Sequence, residues 1–414
     1  GVVPWIRQLN NTAVSVDQLG TRQGAIAVYL DVFHKDIMRF LDLRLNNGDE
    51  RMRAHDIFTG VTLPDLFMEK VEKREAWYLF DPYEVHTKKG WYLQDFYDEK
   101  VGSGSFREKY EELVADNNIS KERVQAIDIM KAILRSQLES GVPFMFYRDE
   151  VNRKNPNKHV GMIYSSNLCT EIFQNMSPTI MEKQVVQDGY IVKYSKPGDF
   201  VVCNLSSIHL GRAVPAKVLE RLIPIQVRAL DNVIELNTIS VLQAVETNRK
   251  YRGIGVGTFS WHHLLAIEGI RWESENAVEY ANELYEKIAF LTIQASMNLS
   301  KEKGSYPAFK GSDWDTGDYF TNRGYDTDEK WMELAGEIKL HGMRNGYLMA
   351  VAPNASTSIL ANGSASIDPI FKRKYSEEKK DYKIPVTAPD LSAKTFWFYR
   401  NAYELDQHWS IKQN

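Results

Sequence analysis

The sequence contains few cysteines: only Cys169 and Cys203 occur in 414 residues. This number excludes a disulfide framework and fits a reducing compartment. No apolar run reaches the roughly 18 residues that a membrane span needs. The formal net charge of -4 lacks the basic surplus that nucleic acids and anionic membranes usually select. We therefore expect a cytoplasmic protein without a nucleic-acid or membrane partner.

Internal repeats, low-complexity tracts and Pro/Gly/Ser-rich linkers are also missing, so no domain boundary is predicted. The first residues, "GVVPW", lack a secretion signal, and the last, "DQHWSIKQN", resemble the interior of a protein. We expect a single domain over residues 1–414 that is truncated at both ends.

Three segments have the spacing of amphipathic helices, and a glycine follows each of them. The first begins at the N-cap Ser120 and stops at Gly141, the longest runs from about 274 to 303, and the third covers 326–341. The predicted buried stripe of the first helix consists of Val124, Ile127, Ala132, Leu134 and Leu138.

Short apolar runs alternate with these helices and predict strands. They lie at residues 25–33, 142–149, 200–208 and 346–353. Runs that are apolar on both faces are typical of strands covered on both sides. The pattern therefore predicts an α/β fold, as a barrel or an open sheet.

Residues 164–173, "YSSNLCTEIF", place Asn167, Cys169 and Glu171 at alternate positions. In extended backbone these side chains would share one face. A lone cysteine is more often structural than reactive, but a neighbouring carboxylate opposes thiolate formation. The set would then contain an amide that orients a hydroxyl group, a neutral thiol and a carboxylate that accepts a proton. Such a set suits hydrogen-atom chemistry better than acyl transfer. A thiol hydrolase in which His209 activates Cys169 is an alternative that needs a lowered thiol pKa.

Two further segments carry candidate chemistry. Cys203, in "GDFVVCNLSSIHLG", is predicted to lie in a strand and is either inert or a redox cysteine whose partner lies outside this chain. After a strand that ends at Pro353, residues 354–358 are small and polar. A turn leading into a helix there could hold a diphosphate through backbone N–H groups and hydroxyls. An ordinary capping loop is the alternative.

Two other motifs do not support the function that they suggest. "GIGVGT" at 253–258 lacks the spacing of a dinucleotide fingerprint, and a turn or helix start is predicted instead. The adjacent His262 and His263 cannot share one helix face, and no HExxH or CxxC motif accompanies them. No metal site is predicted.

Four segments together resemble the large subunits of class I ribonucleotide reductases. "SNLCTEI" is similar to their finger loop, "VVCNLSSIHL" to the next barrel strand, and "APNASTSILANGSASIDPI" to their substrate-diphosphate loop. "QLGTRQGAIAVYLDVFHKDIMRFLDLR" resembles the preceding segment. The resemblance covers essentially the whole chain and is closest to the shorter, class Ib-like chains. It implies an incomplete ten-stranded α/β barrel with a central finger loop.

The resemblance also implies residue roles. Cys169 would become a shielded thiyl radical that takes the 3′ hydrogen of a ribonucleotide, Glu171 would be the general base, and Asn167 would orient the ribose hydroxyls. Cys203 would be one half of the reducing dithiol. Substrate would be bound by Ser166, Asn167, Leu168, Cys169, Thr170, Glu171, Pro353, Asn354, Ala355, Ser356 and Thr357.

The implied cofactors and partners lie outside this chain. A metal-containing small subunit would supply the radical, a thioredoxin or glutaredoxin would supply electrons, and effector nucleotides would bind missing segments. The second redox cysteine, the radical-relay tyrosines and a carboxy-terminal cysteine pair are expected in other pieces of the large subunit. The chain alone is therefore predicted not to turn over. A non-catalytic fragment that binds nucleoside diphosphates is the alternative.

Overall fold

The computed structural model describes residues 1–17, 22–378 and 383–413. It divides into two compact units, Gly1–Met176 and Ser177–Asn414. The segment that resembles the region before the finger loop begins at residue 18. Its first four residues, 18–21, lie outside the described ranges. The single domain expected over 1–414 stays a prediction.

The amino-terminal unit combines helices with a parallel sheet. Its strands are β1 (Ile26–Asp31), β2 (Ile57–Leu63), β3 (Ala76–Phe80), β4 (Lys121–Gln125) and β5 (Phe144–Tyr147). Its helices are α1 (Val2–Ser15), α2 (Ile37–Leu41), α3 (Asp65–Glu72), α4 (Pro82–Lys89), α5 (Ser105–Ala115), α6 (Ala126–Ser140) and α7 (Arg148–Arg153), with 3-10 turns at Glu50–Met52 and Leu93–Asp95.

The central strand of this sheet is β2, which pairs in parallel with β1 and β5. The strands predicted within 25–33 and 142–149 are confirmed. β2 is buried along almost its whole length, as expected for a parallel strand that is covered on both faces. β3 and β4 form a separate antiparallel pair. In the core, Trp77 of β3 stacks on Tyr110 of α5 with ring centroids 4.3 Å apart.

The helix predicted to follow the N-cap Ser120 begins five residues later than expected, at Ala126. Residues Lys121–Gln125 are strand β4, because they pair with β3, and this distant pairing overrides the local helical pattern. The predicted stripe is also wrong, since Leu134 and Leu138 are 49% and 89% exposed. The buried face of α6 consists of Ala126, Ile129, Met130, Ile133 and Ser136. The stop at Gly141 is confirmed by its left-handed φ of 77°.

The carboxy-terminal unit is richer in helices. Its strands are β6 (Ile180–Gln187), β7 (Tyr190–Lys196), β8 (Leu205–His209), β9 (Gly255–Phe259), β10 (Lys374–Glu378) and β11 (Lys383–Thr387). Its helices are α8 (Leu210–Ala213), α9 (Leu219–Leu236), α10 (Leu242–Tyr251), α11 (Trp261–Glu268), α12 (Glu275–Lys303), α13 (Asp313–Thr316), α14 (Asp318–Thr321), α15 (Glu329–His341), α16 (Ala355–Leu360) and α17 (Gln407–Gln413), with a 3-10 turn at Ala402–Glu404.

Two of these helices confirm the sequence predictions. The hydroxyl of Ser274 accepts a hydrogen bond from the N–H of Ala277 at the start of α12, and Gly304 ends the helix. α15 ends before Gly342 as predicted, but it begins at Glu329 because Asp328 caps its first turn. α12 packs against α9 and α15 in the core of this unit.

Strands β8 and β9 of this unit pair in parallel. The turn or helix start predicted at 253–258 is wrong, since residues 255–259 are the fully buried β9. A Cβ at Gly257 would lie 2.0 Å from the carbonyl oxygen of Ala350, so glycine permits a close backbone approach. The strand predicted over 346–353 is wrong, because this run forms no ladder and meets β9 only through a single bridge between Met349 and Val256.

The predicted α/β class is confirmed by helices combined with parallel strand pairs in each unit. Among the described residues, the sheets have two or three strands and none closes on itself. None of the described helices combines the length and apolar character that a bilayer-spanning segment requires.

Candidate active site

Residues 166–171 form a tight turn, called here the thiol turn, and not the extended segment that the alternating pattern predicted. The N–H of Thr170 donates to the carbonyl of Asn167 at 3.4 Å, and the N–H of Asn167 donates to the carbonyl of Ile172 at 3.3 Å. Thr170 has a φ of 66°, in the left-handed region that reverses the chain. The prediction that Asn167, Cys169 and Glu171 share one face of an extended strand is therefore wrong, because hydrogen bonds across the turn replace a strand ladder.

The side chain of Asn167 holds this turn. Its Oδ1 accepts hydrogen bonds from the backbone N–H groups of Glu171 and Ile172, each at 3.1 Å. Asparagine commonly stabilises a reversal of the chain in this way. The Nδ2 of Asn167 can only donate, so a bond from this nitrogen to a ribose hydroxyl would have the protein as donor.

Cys169 lies within the turn and is exposed. The shielded thiol that the family resemblance implied is therefore not what the structure shows for this chain, because the chain reversal leaves residue 169 accessible. The neighbouring protein still excludes enough water to raise the pKa of the thiol, and the carboxylate of Glu171 raises it further, while Arg22 acts in the opposite direction. A raised pKa agrees with the predicted neutral thiol. It argues against a thiol hydrolase, which needs a lowered thiol pKa.

Glu171 is half-buried, and its Oε2 is buried without a hydrogen-bond partner among the described residues. A buried acceptor with no partner is costly and is available to a hydroxyl from a ligand. Of the other residues predicted in this turn, Ser166 is buried, whereas Leu168 and Thr170 are half-buried. The thiol turn thus brings a neutral thiol and an unpaired carboxylate oxygen into one short segment.

Buried asparagines hold the two arms of the thiol turn. Asn152 of α7 donates to the carbonyl of Ile163 and accepts from its N–H, both at 2.9 Å. On the other arm, Asn175 accepts from Asn155 at 2.7 Å and donates to the carbonyl of Asn157 at 2.8 Å. Sequence reasoning missed these residues. The signal was the density of asparagine on both sides of the motif.

Cys203, in the carboxy-terminal unit, is exposed and precedes β8 by two residues. Its predicted strand position is wrong, because the ladder with β9 begins only at Leu205 opposite Gly255. The preceding Asn204 contributes its carbonyl to the N–H of Gly255 at 2.9 Å. The thiol is thus accessible beside the start of a parallel strand.

Residues 353–357 form the predicted turn into a helix. Asn354 has a left-handed φ of 53°, and α16 begins at Ala355. Pro353, Ala355, Ser356 and Thr357 are exposed, and the first N–H groups of a helix have no partner within it. The side chain of Asn354 donates to the hydroxyl of Ser207 at 3.1 Å. The turn is confirmed, whereas its role in holding a diphosphate stays a prediction.

The two adjacent histidines, His262 and His263, have protein partners. The Nδ1 of His262 accepts from the N–H of Ile370 at 3.0 Å, and the Nε2 of His263 lies 3.0 Å from a carboxylate oxygen of Asp390. Burial lowers the pKa of His209. Within the described ranges, no three or more His, Cys, Asp or Glu side chains lie together in a group that could hold a metal ion.

Comparisons with known proteins agree with this arrangement of motifs. The family model described as "Ribonucleotide reductase, barrel domain" matches residues 1–414. Proteins named ribonucleoside-diphosphate reductase subunit alpha are 49% identical in Treponema pallidum, over all of this chain and 49% of the relative, and 40% identical in Helicobacter pylori strain J99, over all of this chain and 57% of the relative. The Bacillus subtilis protein of that name is 29% identical over 98% of this chain and 59% of the relative.

The chain therefore spans about half the length of the curated relatives that it matches. The resemblance inferred from the four motifs is confirmed. The predicted barrel type is confirmed by the family match, and the open sheets of the described residues agree with an incomplete barrel. The closer likeness to class Ib-like chains stays a prediction, because the names of these relatives do not distinguish subclasses.

Proposed function

Because the chain belongs to the ribonucleotide reductase barrel-domain family, we propose that it forms the catalytic core of a class I ribonucleoside-diphosphate reductase large subunit. The reaction replaces the 2′ hydroxyl of a ribonucleotide by hydrogen, releases water and oxidises two thiols to a disulfide. The observation that carries the proposal is the thiol turn, in which a thiol with a raised pKa lies in one segment with the Oε2 of Glu171, an oxygen that no described residue hydrogen-bonds.

Cys169 takes the hydrogen atom from the 3′ carbon in this proposal. Cys169 does so as a thiyl radical, which is a neutral thiol that has lost one hydrogen atom. The thiol formed by the abstraction returns this hydrogen to the 3′ carbon after the 2′ carbon has been reduced, which regenerates the thiyl radical. A raised thiol pKa suits this role, because it keeps the proton on sulfur between turnovers.

Glu171 acts as the general base for the 3′ hydroxyl. Its Oε2, which is buried without a partner in the described part of the chain, gains a hydrogen bond when a hydroxyl group arrives. Asn167 donates through Nδ2 to a ribose hydroxyl, while its Oδ1 keeps the turn closed. One side chain thus shapes the turn and orients the sugar.

Cys203 provides one of the two electrons and one of the two protons that reduce the 2′ carbon. Since the chain holds only two cysteines and Cys169 carries the radical, the second reducing cysteine comes from another segment of the large subunit. The length of the relatives, about twice that of this chain, leaves room for it. Thioredoxin or glutaredoxin then restores the thiols from the resulting disulfide.

The diphosphate binds at residues 353–357. Backbone N–H groups at the first turn of α16 and the hydroxyls of Ser356 and Thr357 are donors suited to phosphate oxygens. The reaction takes place in the cytoplasm, where thiols stay reduced. A metal-containing small subunit generates the radical, and effector nucleotides bind further segments of the large subunit.

The exposure of Cys169 implies that further protein must cover the radical during catalysis, since solvent access permits side reactions. We therefore expect no deoxynucleotide from the chain alone. The chain combined with the remaining large-subunit segments, a small subunit and a thiol reductant should convert a ribonucleoside diphosphate to the deoxy product. Chromatography of the nucleotide products measures this conversion.

The decisive variant is Cys169→Ala, which should abolish product formation and leave nucleoside diphosphate binding, measured by calorimetry, unchanged. Product from the Ala variant, or multiple turnover by the chain alone, would contradict the proposal. Binding without reduction in the supplemented wild-type mixture would favour the second candidate, a non-catalytic nucleoside-diphosphate-binding fragment. The exposed thiol is the observation that favours this candidate.

A further inference from the structure

Tyr29 of β1 contacts the thiol turn through its hydroxyl, which lies 2.5 Å from the Oγ of Ser166. The Ser166 hydroxyl donates to the carbonyl of Asn167 at 2.9 Å. Because a serine hydroxyl carries one proton, Ser166 must accept from Tyr29. A directed chain of hydrogen bonds therefore runs from Tyr29 through Ser166 to the backbone of Asn167.

The Tyr29 hydroxyl also lies near the far end of the turn, since the side chain of Thr170 acts to lower the pKa of this hydroxyl against the larger effect of burial. The N–H of Thr170 donates to the carbonyl of Asn167. Cys169 lies between Ser166 and Thr170. One hydroxyl group thus bonds one end of the segment that carries the thiol and lies near its other end.

The ring of Tyr29 is itself held in place by the parallel sheet. It lies across Gly60 of β2, where a Cβ would approach Cε1 of the ring to 2.3 Å. It packs edge-on against Phe146 of β5, with centroids 6.1 Å apart, and Phe146 stacks on Phe173 at 5.8 Å. Since Phe173 follows the turn, the sheet supports the thiol segment from both sides.

We propose that Tyr29 is a positioning residue for Cys169, because the hydroxyl of Tyr29 fixes the thiol turn through its hydrogen bond to Ser166. Tyr29 is half-buried and Ser166 is 8% exposed, so water competes poorly for this hydrogen bond. The catalytic meaning of the positioning rests on the proposed reductase function. The positioning itself is a property of the thiol and can be measured on it directly.

The test is the rate of alkylation of Cys169 by iodoacetamide between pH 6 and 10, followed by mass spectrometry of both cysteine peptides. Tyr29→Phe removes one hydroxyl and keeps the ring. A loosened turn relaxes the burial and the contact with Glu171 that raise the thiol pKa. We expect the midpoint pH for Cys169 to fall and its rate at pH 7.5 to rise about 2- to 10-fold, the range that corresponds to the loss of one hydrogen bond.

Cys203 lies in the other compact unit and is the internal reference, and its rate should not change. Tyr83→Phe is the matched control, since Tyr83 is 77% exposed, and it should leave both rates unchanged. Gly60→Ala is an independent variant that displaces the ring and keeps every hydroxyl. It should accelerate Cys169 in the same direction as Tyr29→Phe.

Coupling through Ser166 is tested by a double-mutant cycle. Ser166→Ala should raise the Cys169 rate, and the double variant Tyr29→Phe/Ser166→Ala should add little to either single change. An unchanged Cys169 profile in Tyr29→Phe, or equal changes at Cys203, would overturn the proposal. Because the readout is thiol chemistry, a failure of reductase activity would leave this result intact.

Discussion

The side-chain amide of Asn354 donates a hydrogen bond to the hydroxyl of Ser207 at 3.1 Å. The same amide donates to the carbonyl of Ala352 at 2.9 Å, and these two bonds hold Asn354 in its left-handed conformation before α16. Ser207 lies in β8, four residues after Cys203. The strand that follows the candidate redox cysteine therefore also fixes the start of the candidate diphosphate turn.

Ser207→Ala should weaken the binding of a nucleoside diphosphate. Loss of one hydrogen bond of ~0.5–1.5 kcal/mol corresponds to an affinity about 2- to 10-fold lower. The loss arises because Asn354 no longer orients the first turn of α16, and isothermal titration calorimetry measures it. Ser206→Ala is the matched control, since Ser206 accepts from Gln226 at 3.0 Å and has no part in the turn. Equal losses in both variants would rule out this link.

Glu171→Gln should accelerate the alkylation of Cys169 at neutral pH. The pKa of this thiol is raised by burial and by the Glu171 carboxylate, so removing the negative charge lowers the pKa and increases the thiolate fraction. The measurement is the pH profile of the modification of each cysteine, with Cys203 as reference. Glu50→Gln, at a side chain that is 80% exposed, should have no effect. A slower or unchanged Cys169 in Glu171→Gln would contradict the assigned electrostatics.

The parts of the fold that were predicted from sequence depend on local signals. α12 has a serine cap at Ser274, an apolar stripe and a terminal glycine within its own residues. β4 was missed because its pairing with β3 links residues more than 40 positions apart. β9 was missed because a glycine at position 257 locally indicates a turn. In the structure glycine is needed there because the backbone of Ala350 approaches closely.

The same distinction applies to the candidate site. The residue types of the thiol turn were predicted from the motif, and so was the direction of the thiol pKa. Its shape was not, because the Asn167 side chain closes the turn and asparagines from distant positions hold its arms. Tyr29 was read only as part of an apolar strand, since its contact with Ser166 joins residues 137 positions apart.

The stability of the protein should fall as the pH decreases from 6.5 to 4. His262 is fully buried, and burial lowers its pKa from 6.5 to about 4. Below pH 6.5 the unfolded chain binds a proton that the folded chain excludes, so the contribution of His262 is complete above pH 6.5 and is lost as the pH falls. A difference of this size between the pKa values of the unfolded and folded states corresponds to ~3 kcal/mol in the free energy of unfolding.

Urea unfolding at several pH values checks this expectation. His262→Gln should make the free energy of unfolding less dependent on pH between 4 and 6.5. The number of protons taken up on unfolding in this range should fall by up to one. His55→Gln, at a side chain that is 44% exposed, should retain the wild-type dependence. An undiminished slope in His262→Gln would show that other groups dominate the acid sensitivity.

Asp231 of α9 should be among the residues that contribute most to the stability of the carboxy-terminal unit. Its carboxylate is fully buried and accepts hydrogen bonds from Arg252 at 2.9 Å, from Arg344 at 3.2 Å and from Asn345 at 3.3 Å. Lys303, at the end of α12, approaches to 3.4 Å. Asp231→Ala leaves two buried guanidinium groups without their main counter-charge, a change that costs about 3–5 kcal/mol in comparable sites.

The matched control lies in the same unit, where Glu302 pairs with Arg228 at 2.6 Å and both side chains are about half exposed. Glu302→Ala should cost less than ~1 kcal/mol, because solvent screens the pair. Urea unfolding of both variants measures the difference. Since Arg344 and Asn345 directly precede the segment that leads to the diphosphate turn, Asp231→Ala should also weaken nucleoside diphosphate binding, whereas Glu302→Ala should not. Similar stability losses in the two variants would mean that the buried network contributes no more than a surface ion pair.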